Sequence, residues 1–249
     1  MKKSIALSFA LLLLTLVAQA QSNETRNLEA FSRLSVAEGI KAIVVKGNTE
    51  AIDISVSGNI SAKEVLAEIK GDRLRVHLED GRRYRKVDVK VKITCRSLTA
   101  ISASSAARID LQSNFKNIAK VSASSAGSVK TNYTISGSTM TLRVSSAGRF
   151  EGKVQANDLK LNASSAGKML LSGGSTNTLE ARGSSSGRIK AQDFISQNAE
   201  IRVSSGGSIR VNVSQAIEAR ASSGGSVIYA GNPQKVNVKS SSGGSIRKR

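Results

Sequence analysis

From residue 100 onward, apolar and small residues recur in short alternating runs about every 20 residues. One column of such positions reads Ile101, Val121, Leu142, Leu161, Ala181, Ile201, Ala219 and Val238. Two residues on, a second column reads Ala103, Ala123, Val144, Ala163, Gly183, Val203, Ala221 and Ser240. More polar residues lie between them. Alternation with period 2 predicts a strand with one face turned inward. Each run leads into the same phrase: two serines, two small residues, a polar residue and an apolar one. The copies are SSAARI, SSAGSV, SSAGRF, SSAGKM, SSSGRI, SSGGSI, SSGGSV and SSGGSI, and their first serines stand 20, 21, 19, 20, 20, 18 and 19 residues apart. The glycine near the middle (Gly127, Gly148, Gly167, Gly187, Gly207, Gly225, Gly244) predicts a tight corner with positive φ; only Ala107 departs from it. The apolar residue that closes the phrase (Ile109, Val129, Phe150, Met169, Ile189, Ile209, Val227, Ile246) opens a second strand. What remains before the next copy varies in length and carries Gly, Asn and the sole proline, which predicts a looser third side with turns.

A fixed period near 20 with strand-type columns predicts an all-β parallel solenoid, one coil per repeat, with like stacked on like. A disordered Ser/Gly linker does not keep strict apolar columns. A β-propeller needs repeats about twice as long. The absence of Trp and 3% aromatic content suit a narrow interior filled by stacked Val, Ile, Leu, Ala and Ser.

Residues 28–99 lack the phrase but alternate well in IKAIVVKG, AIDISVSG, DRLRVHLEDG and KVDVKVKIT. They are expected to form irregular first coils and a cap over the exposed strand edge at that end. Ser61 followed by Glu64 is a capping-box signal, predicting a short helix over residues 61–70. Lys2 and Lys3, an apolar run from Ile5 to Val17 and the ending AQA read as a secretory signal peptide over residues 1–20. That run is short for a membrane span, and no later segment is apolar enough for one. Residues 21–249 are read as one solenoid domain, with residues 100–249 holding eight repeats. The chain is expected to be exported, whether to the periplasm, the cell surface or the medium.

Residues 21–99 carry 15 basic and 11 acidic side chains, and residues from 100 onward carry 20 and 7. The positive excess therefore sits on the repeats. The column between the two inward ones reads Ser102, Ser122, Arg143, Asn162, Arg182, Arg202, Arg220 and Lys239. Glu180, Glu200 and Glu218 each stand two residues before an arginine, so one reading is a charge-balanced solvated face. The other is a groove for a linear polyanion, with Arg143, Arg182, Arg202, Arg220 and Lys239 as its ladder. Arg149, Lys168 and Arg188, just past the corner, widen that basic surface. Arginine takes carboxylate, sulfate or phosphate through paired hydrogen bonds. The expected partners are anionic glycan or lipid headgroups. Arg82-Arg83-Tyr84-Arg85-Lys86 is expected to be a solvated hairpin loop; one tyrosine gives no stacking platform, so specific nucleic-acid recognition is not expected.

Little points to catalysis. Asp110, Glu151, Asp158, Glu180, Asp193, Glu200 and Glu218 are spread over the repeats rather than paired. The serine columns have no repeated His or Lys base beside them. His77, the sole histidine, reads as a surface strand residue, and Cys95 as a small half-buried one. No metal-ligand spacing and no cofactor motif is present. A polysaccharide lyase or hydrolase, a self-assembling structural protein and an ice- or crystal-binding hydroxyl array are the alternatives to a binding module.

Taken together, the exported N-terminus, FSRLSVAEGIKAIVVKGNTEAIDISVSG, RLRVHLEDG and VKVKITCRSLTAISASSA running into Ser/Gly repeats resemble the bacterial auto-transporter adhesin head GIN domain family. The resemblance implies a right-handed parallel β-helix of the cell envelope and an adhesin-like, non-catalytic role. It brings no catalytic residues to carry over.

Overall fold

A computed structural model describes residues 22–249; the expected export signal lies outside them. The strands, in chain order, are β1 (Ser22–Asn27), β2 (Arg33–Val36), β3 (Lys41–Lys46), β4 (Ala51–Ser57), β5 (Val65–Lys70), β6 (Arg73–Leu78), β7 (Asp88–Cys95), β8 (Ala100–Ala103), β9 (Arg108–Leu111), β10 (Lys120–Ala123), β11 (Ser128–Val144), β12 (Arg149–Ala163), β13 (Lys168–Gly183), β14 (Arg188–Val203), β15 (Ser208–Ala221), β16 (Ser226–Ala230), β17 (Lys235–Ser240) and β18 (Ser245–Lys248). They build a β-solenoid with about 20 residues per turn. From β8 onward every inter-coil pairing is parallel.

The register is the one the columns require. Ile101 pairs with Val121, Val121 with Leu142, Leu142 with Leu161, Leu161 with Ala181, Ala181 with Ile201, and Ile201 with Ala219. Each of these is at most 1% exposed. Past the corner, Val129, Phe150, Met169, Ile189 and Ile209 stack in the same way. Burying one such side chain stabilises by about 1.5–3 kcal/mol, so slipping one coil by one residue would expose a whole set.

The third side is more regular than expected. β11 to β15 run unbroken from one corner to the next, 14 to 17 residues each. Differences in repeat length are absorbed as register shifts, as between Lys130 and Thr134 and between Ala191 and Ile195. A bulge takes up an extra residue without ending the ladder. Phe115, Ile118 and Ile135 fill the interior of this side.

Residues 28–99 do not stack in chain order. β2 lies between β6 and β8, and β3 lies between β7 and β9. The first coil in sequence is thus second in the stack, and the coil of β6 and β7 stands outside it. Antiparallel strands close that end: β5 on β6, β4 on β7 and β1 on β4. Arg26, ion-paired to Glu24, ties β1 to the carbonyl oxygens of Ala62 and Val65 at 2.8 and 2.7 Å.

Three local expectations are corrected here. The capping box at Ser61 and Glu64 exists, but the helix is one 3-10 turn, Ala62–Glu64. Val65, Ala67 and Ile69 then alternate as β5, turned back through Gly71 (φ 61°) onto β6. Pairing along six residues outweighs a cap that stabilises by about 1 kcal/mol. His77 is buried, 4% exposed, with Nδ1 2.9 Å from the Leu78 carbonyl oxygen and Nε2 3.5 Å from Glu68. That ring, and Lys70 after it, hold the Glu68 carboxyl below its ordinary range. Finally, Arg82 to Lys86 do not close a hairpin. β6 and β7 belong to different sides of the solenoid, so the segment is a long corner, with Arg82 ion-paired to Glu64 and Glu79.

Candidate binding groove

The corner sets the geometry of the groove. The second serine and the residue after it both take positive φ in every copy, for example Ser146 at 47° and Ala147 at 60°. The N–H of the fourth residue donates to the carbonyl of the first, as from Gly148 to Ser145 at 2.7 Å. Two left-handed central residues with this bond make a type I′ turn. The repeated glycine is therefore not the positive-φ residue. A Cβ at Gly148 would run into the Ala123 carbonyl, and one at Gly167 would sit 2.7 Å from the Val144 oxygen. Glycine stands there because the coil beneath comes close. Serine and alanine tolerate the left-handed pair because each turn bonds to the next coil: the Ala126 N–H reaches the Ser146 carbonyl, and the Ala147 N–H that of Ser165.

Glu38 (φ 62°) and Gly39 (φ 71°) form a ninth corner of the same kind, in VAEGIKA. It has no serine pair, so the repeated phrase does not reveal it; its signal in the sequence is an acidic residue followed by glycine at a strand end.

Just before each corner the outward column comes into register. Asn162 pairs with Arg182, Arg182 with Arg202, Arg202 with Arg220 and Arg220 with Lys239. These five, with Ser164, Ser184, Ser204, Ser222 and Ser241, line an open groove of about 1110 Å³. Among the described residues the hydroxyls of these five serines bond to no protein group, so their donors and acceptors face the groove. The repeat serines, expected in the interior, face outward instead; a stacked hydroxyl pair does occur in the outward column, between Ser122 and Ser102 at 3.1 Å.

Each arginine of the groove has an acidic neighbour. The Nη2 of Arg182 lies 2.6 Å from Glu180, that of Arg202 2.6 Å from Glu200, and that of Arg220 3.0 Å from Glu218. All three arginines are more than half exposed, so each pair stabilises the fold by less than about 1 kcal/mol. The glutamates offset the repulsion that bare cations on adjacent strands would suffer.

The predicted ladder divides. Arg143 is separated from Arg182 by Asn162 and does not line the groove. Arg149, Lys168 and Arg188 are in register with one another on the far side of the corner, where Lys190 and Arg210 lie beside them. Among the described residues none of these five has an ion-pair partner. Arg149, Lys168, Arg188 and Lys190 border a shallow depression of about 240 Å³.

Among the described residues no three His, Cys, Asp or Glu side chains gather as a metal site. Cys95 is fully buried, and burial pushes its thiol up to about 12. Among the described residues no helix is long and apolar enough to cross a membrane.

Solved structures share this architecture. A putative adhesin from Parabacteroides merdae superposes with a TM-score of 0.83 at 18% identity, covering 92% of this chain and 96% of its own. One from Parabacteroides distasonis gives 0.81 at 15% identity, covering 93% and 98%. A putative lipid binding protein from Parabacteroides distasonis gives 0.73 at 19% identity, covering 92% and 97%. No curated protein matches. The family model described as "Putative auto-transporter adhesin, head GIN domain" matches residues 30–233, the span from just before β2 to the turn ahead of β17. The corner-and-column architecture therefore comes with a family assignment: this chain belongs to the head GIN domain family.

Proposed function

We propose that the chain is an exported, non-catalytic, adhesin-like module that binds anionic polysaccharide along the groove beside its corners. The observation that carries this reading is the register of Arg182, Arg202, Arg220 and Lys239 above a row of unengaged serine hydroxyls. Guanidinium and hydroxyl donors repeated along one axis match a linear polymer with repeated acidic groups. The basic balance of the repeats favours encounter with such a polymer at the cell surface. Retention on heparin and on lipopolysaccharide, measured against salt, tests it. Binding should weaken steeply as salt rises and fall in the R182S/R202S/R220S variant. Retention indifferent to salt and to these substitutions would remove the reading.

A second reading draws on the other face. Arg149, Lys168, Arg188, Lys190 and Arg210 lack acidic partners among the described residues, and the half-exposed Leu170 stands among them. A shallow cationic face with an apolar side chain suits anionic lipid headgroups better than a single polymer strand. The lipid-binding description of one structural neighbour points the same way for that neighbour. Cosedimentation with phosphatidylglycerol vesicles, lost in R149S/K168S/R188S and retained in R182S/R202S/R220S, separates the two faces.

A further inference from the structure

We infer that the C-terminal end of the solenoid accepts an added β-strand from a partner protein, one in which apolar side chains alternate with polar and acidic ones. The two ends of the stack are closed differently. At the first end, antiparallel strands cover the outermost coil: β5 lies on β6 and β4 on β7. At the other end, among the described residues, β17 pairs only with β15 and β18 only with β16. The outer edge of β17 therefore presents unpaired N–H and C=O groups, and all six residues of Lys235–Ser240 are exposed. Val236 continues the column of Ile217, and Val238 that of Ala219. Ile217 and Ala219 are buried because a further coil lies over them; Val236 and Val238 have no such cover and stand open to solvent.

Charge selects the strand. In the outward column that holds Glu180, Glu200 and Glu218, the end coil has Asn237. Residues 219–249 carry six basic side chains and no acidic one. Two C-terminal ends brought together would meet as like charges, which disfavours a second copy in that arrangement. A strand laid on β17 turns alternate side chains to opposite faces. Apolar residues on its inner face cover Val236 and Val238. Acidic residues on its outer face stand opposite Lys235 and Lys239, where a cross-strand charge pair is favourable. Main-chain pairing supplies affinity and the alternation supplies selectivity, as in other strand additions. The acceptor adjoins the end of the groove, since Val238 and Lys239 line both, but it does not depend on what the groove binds.

The test uses the peptide TEVTVET, acetylated and amidated so that only its glutamates carry charge. It reads the same in both directions and so favours neither parallel nor antiparallel pairing. Fluorescence anisotropy of the labelled peptide with the chain from residue 21 onward should show saturable binding that weakens with salt, and hydrogen exchange should slow at amides within residues 235–240. The permuted peptide TEEVVTT and the basic TKVTVKT should bind more weakly by roughly tenfold. V236D/V238D should lose binding, while R182S/R202S, in the groove, should keep it. K235E/K239E should reverse the choice and take TKVTVKT over TEVTVET, which a misfolded variant does not do. Equal binding of the permuted peptide, slowed exchange confined to the groove coils, or no binding of TEVTVET at millimolar concentration would each overturn the strand acceptor. A parent chain that dimerises with rising concentration in sedimentation, and stays monomeric in V236D/V238D, would give this edge to a second copy and overturn the partner strand.

Discussion

The backbone N–H of Gly39 donates to the carbonyl oxygen of Ser105 across 2.8 Å. The same bond joins Ala106 to Ser125 and Ala126 to Ser146 one and two coils further on. Residues 33–46 are therefore a full member of the stack, held by the corner ladder that runs through the serine repeats. Their place between the coil of β6 and β7 and that of β8 and β9 means that the first coil in sequence is later covered on both flanks.

The corner ladder predicts opposite outcomes for two adjacent substitutions. Gly148→Ala pushes a Cβ into the Ala123 carbonyl and close to the Ser145 oxygen, both backbone atoms that cannot swing away. It should cost about 1–3 kcal/mol, the range for overpacking. Ser146→Gly removes a left-handed serine at φ 47°, a relief of about 1 kcal/mol that a more flexible unfolded chain largely cancels. Urea melts should rank Gly148→Ala well below the parent and Ser146→Gly within about 1 kcal/mol of it. The reverse ranking would mean that the repeated glycine serves positive φ after all.

Much of this architecture was legible in the sequence, and what escaped has a common cause. Leu142, Leu161 and Ala181 could be set on one another because a repeat of near-constant length leaves a parallel stack only one register. The third side looks like turns in the sequence because Gly173 and Gly174 resemble breakers; in the fold the ladder bends there at positive φ without ending. The strand at residues 65–70, the burial of His77 and the insertion of β2 beside β8 all depend on partners distant in sequence. A capping box or an alternating run reports only its neighbours. For the groove, the columns located Arg182, Arg202 and Arg220 with Asn162 before them, but not that the groove stops at Asn162 and leaves Arg143 out, which is set by the shape of the surface beside the corners.

The far end of the stack carries an exposed lysine in register with an interior column. Lys248 pairs with Tyr229, which pairs with Val211, so it occupies an interior column on edge strand β18. Its ammonium donates to Asn232 at 3.0 Å. Val236 and Val238 on neighbouring β17 are 48% and 41% exposed. A charge at an interior-column position of an edge strand is a known defence of such edges. Lys248→Val should yield a concentration-dependent shift to dimers or longer species in analytical ultracentrifugation, while Lys239→Val, in an outward column, should not. A strictly unchanged sedimentation profile for Lys248→Val would refute the role.

Cys95 makes the alkaline limb of stability informative. Burial, with Glu50 second, raises its thiol from 9.0 to about 12. The unfolded chain therefore loses this proton at lower pH than the native chain. Between about pH 9 and 12 the native state holds more protons, and stability falls as pH rises, by at most about 1.4 kcal/mol per pH unit. Cys95→Ala should flatten that slope, although the lost side chain lowers stability at neutral pH. In the native protein at pH 8 the thiol should resist iodoacetamide, and it should react once urea exposes it. Rapid native labelling would contradict its burial.

The glutamates beside the groove give the sharpest separation between a solvated, charge-balanced face and a binding face. If Glu180, Glu200 and Glu218 serve only to neutralise their arginines, replacing them leaves three bare cations at neighbouring coils. Such cations repel by somewhat under 1 kcal/mol per neighbour in water. E180Q/E200Q/E218Q should then lower the melting temperature by a few degrees and do nothing else. If the groove holds a polyanion, the same glutamates compete with it for the guanidinium groups and repel it directly. Their removal adds three positive units to the net charge, so heparin retention should move to higher salt and affinity at moderate salt should rise by roughly tenfold or more. Loss of stability together with gain of affinity is an outcome that packing alone does not produce. A variant that is merely less stable, eluting at the parent's salt concentration, would return these columns to the role of a balanced surface.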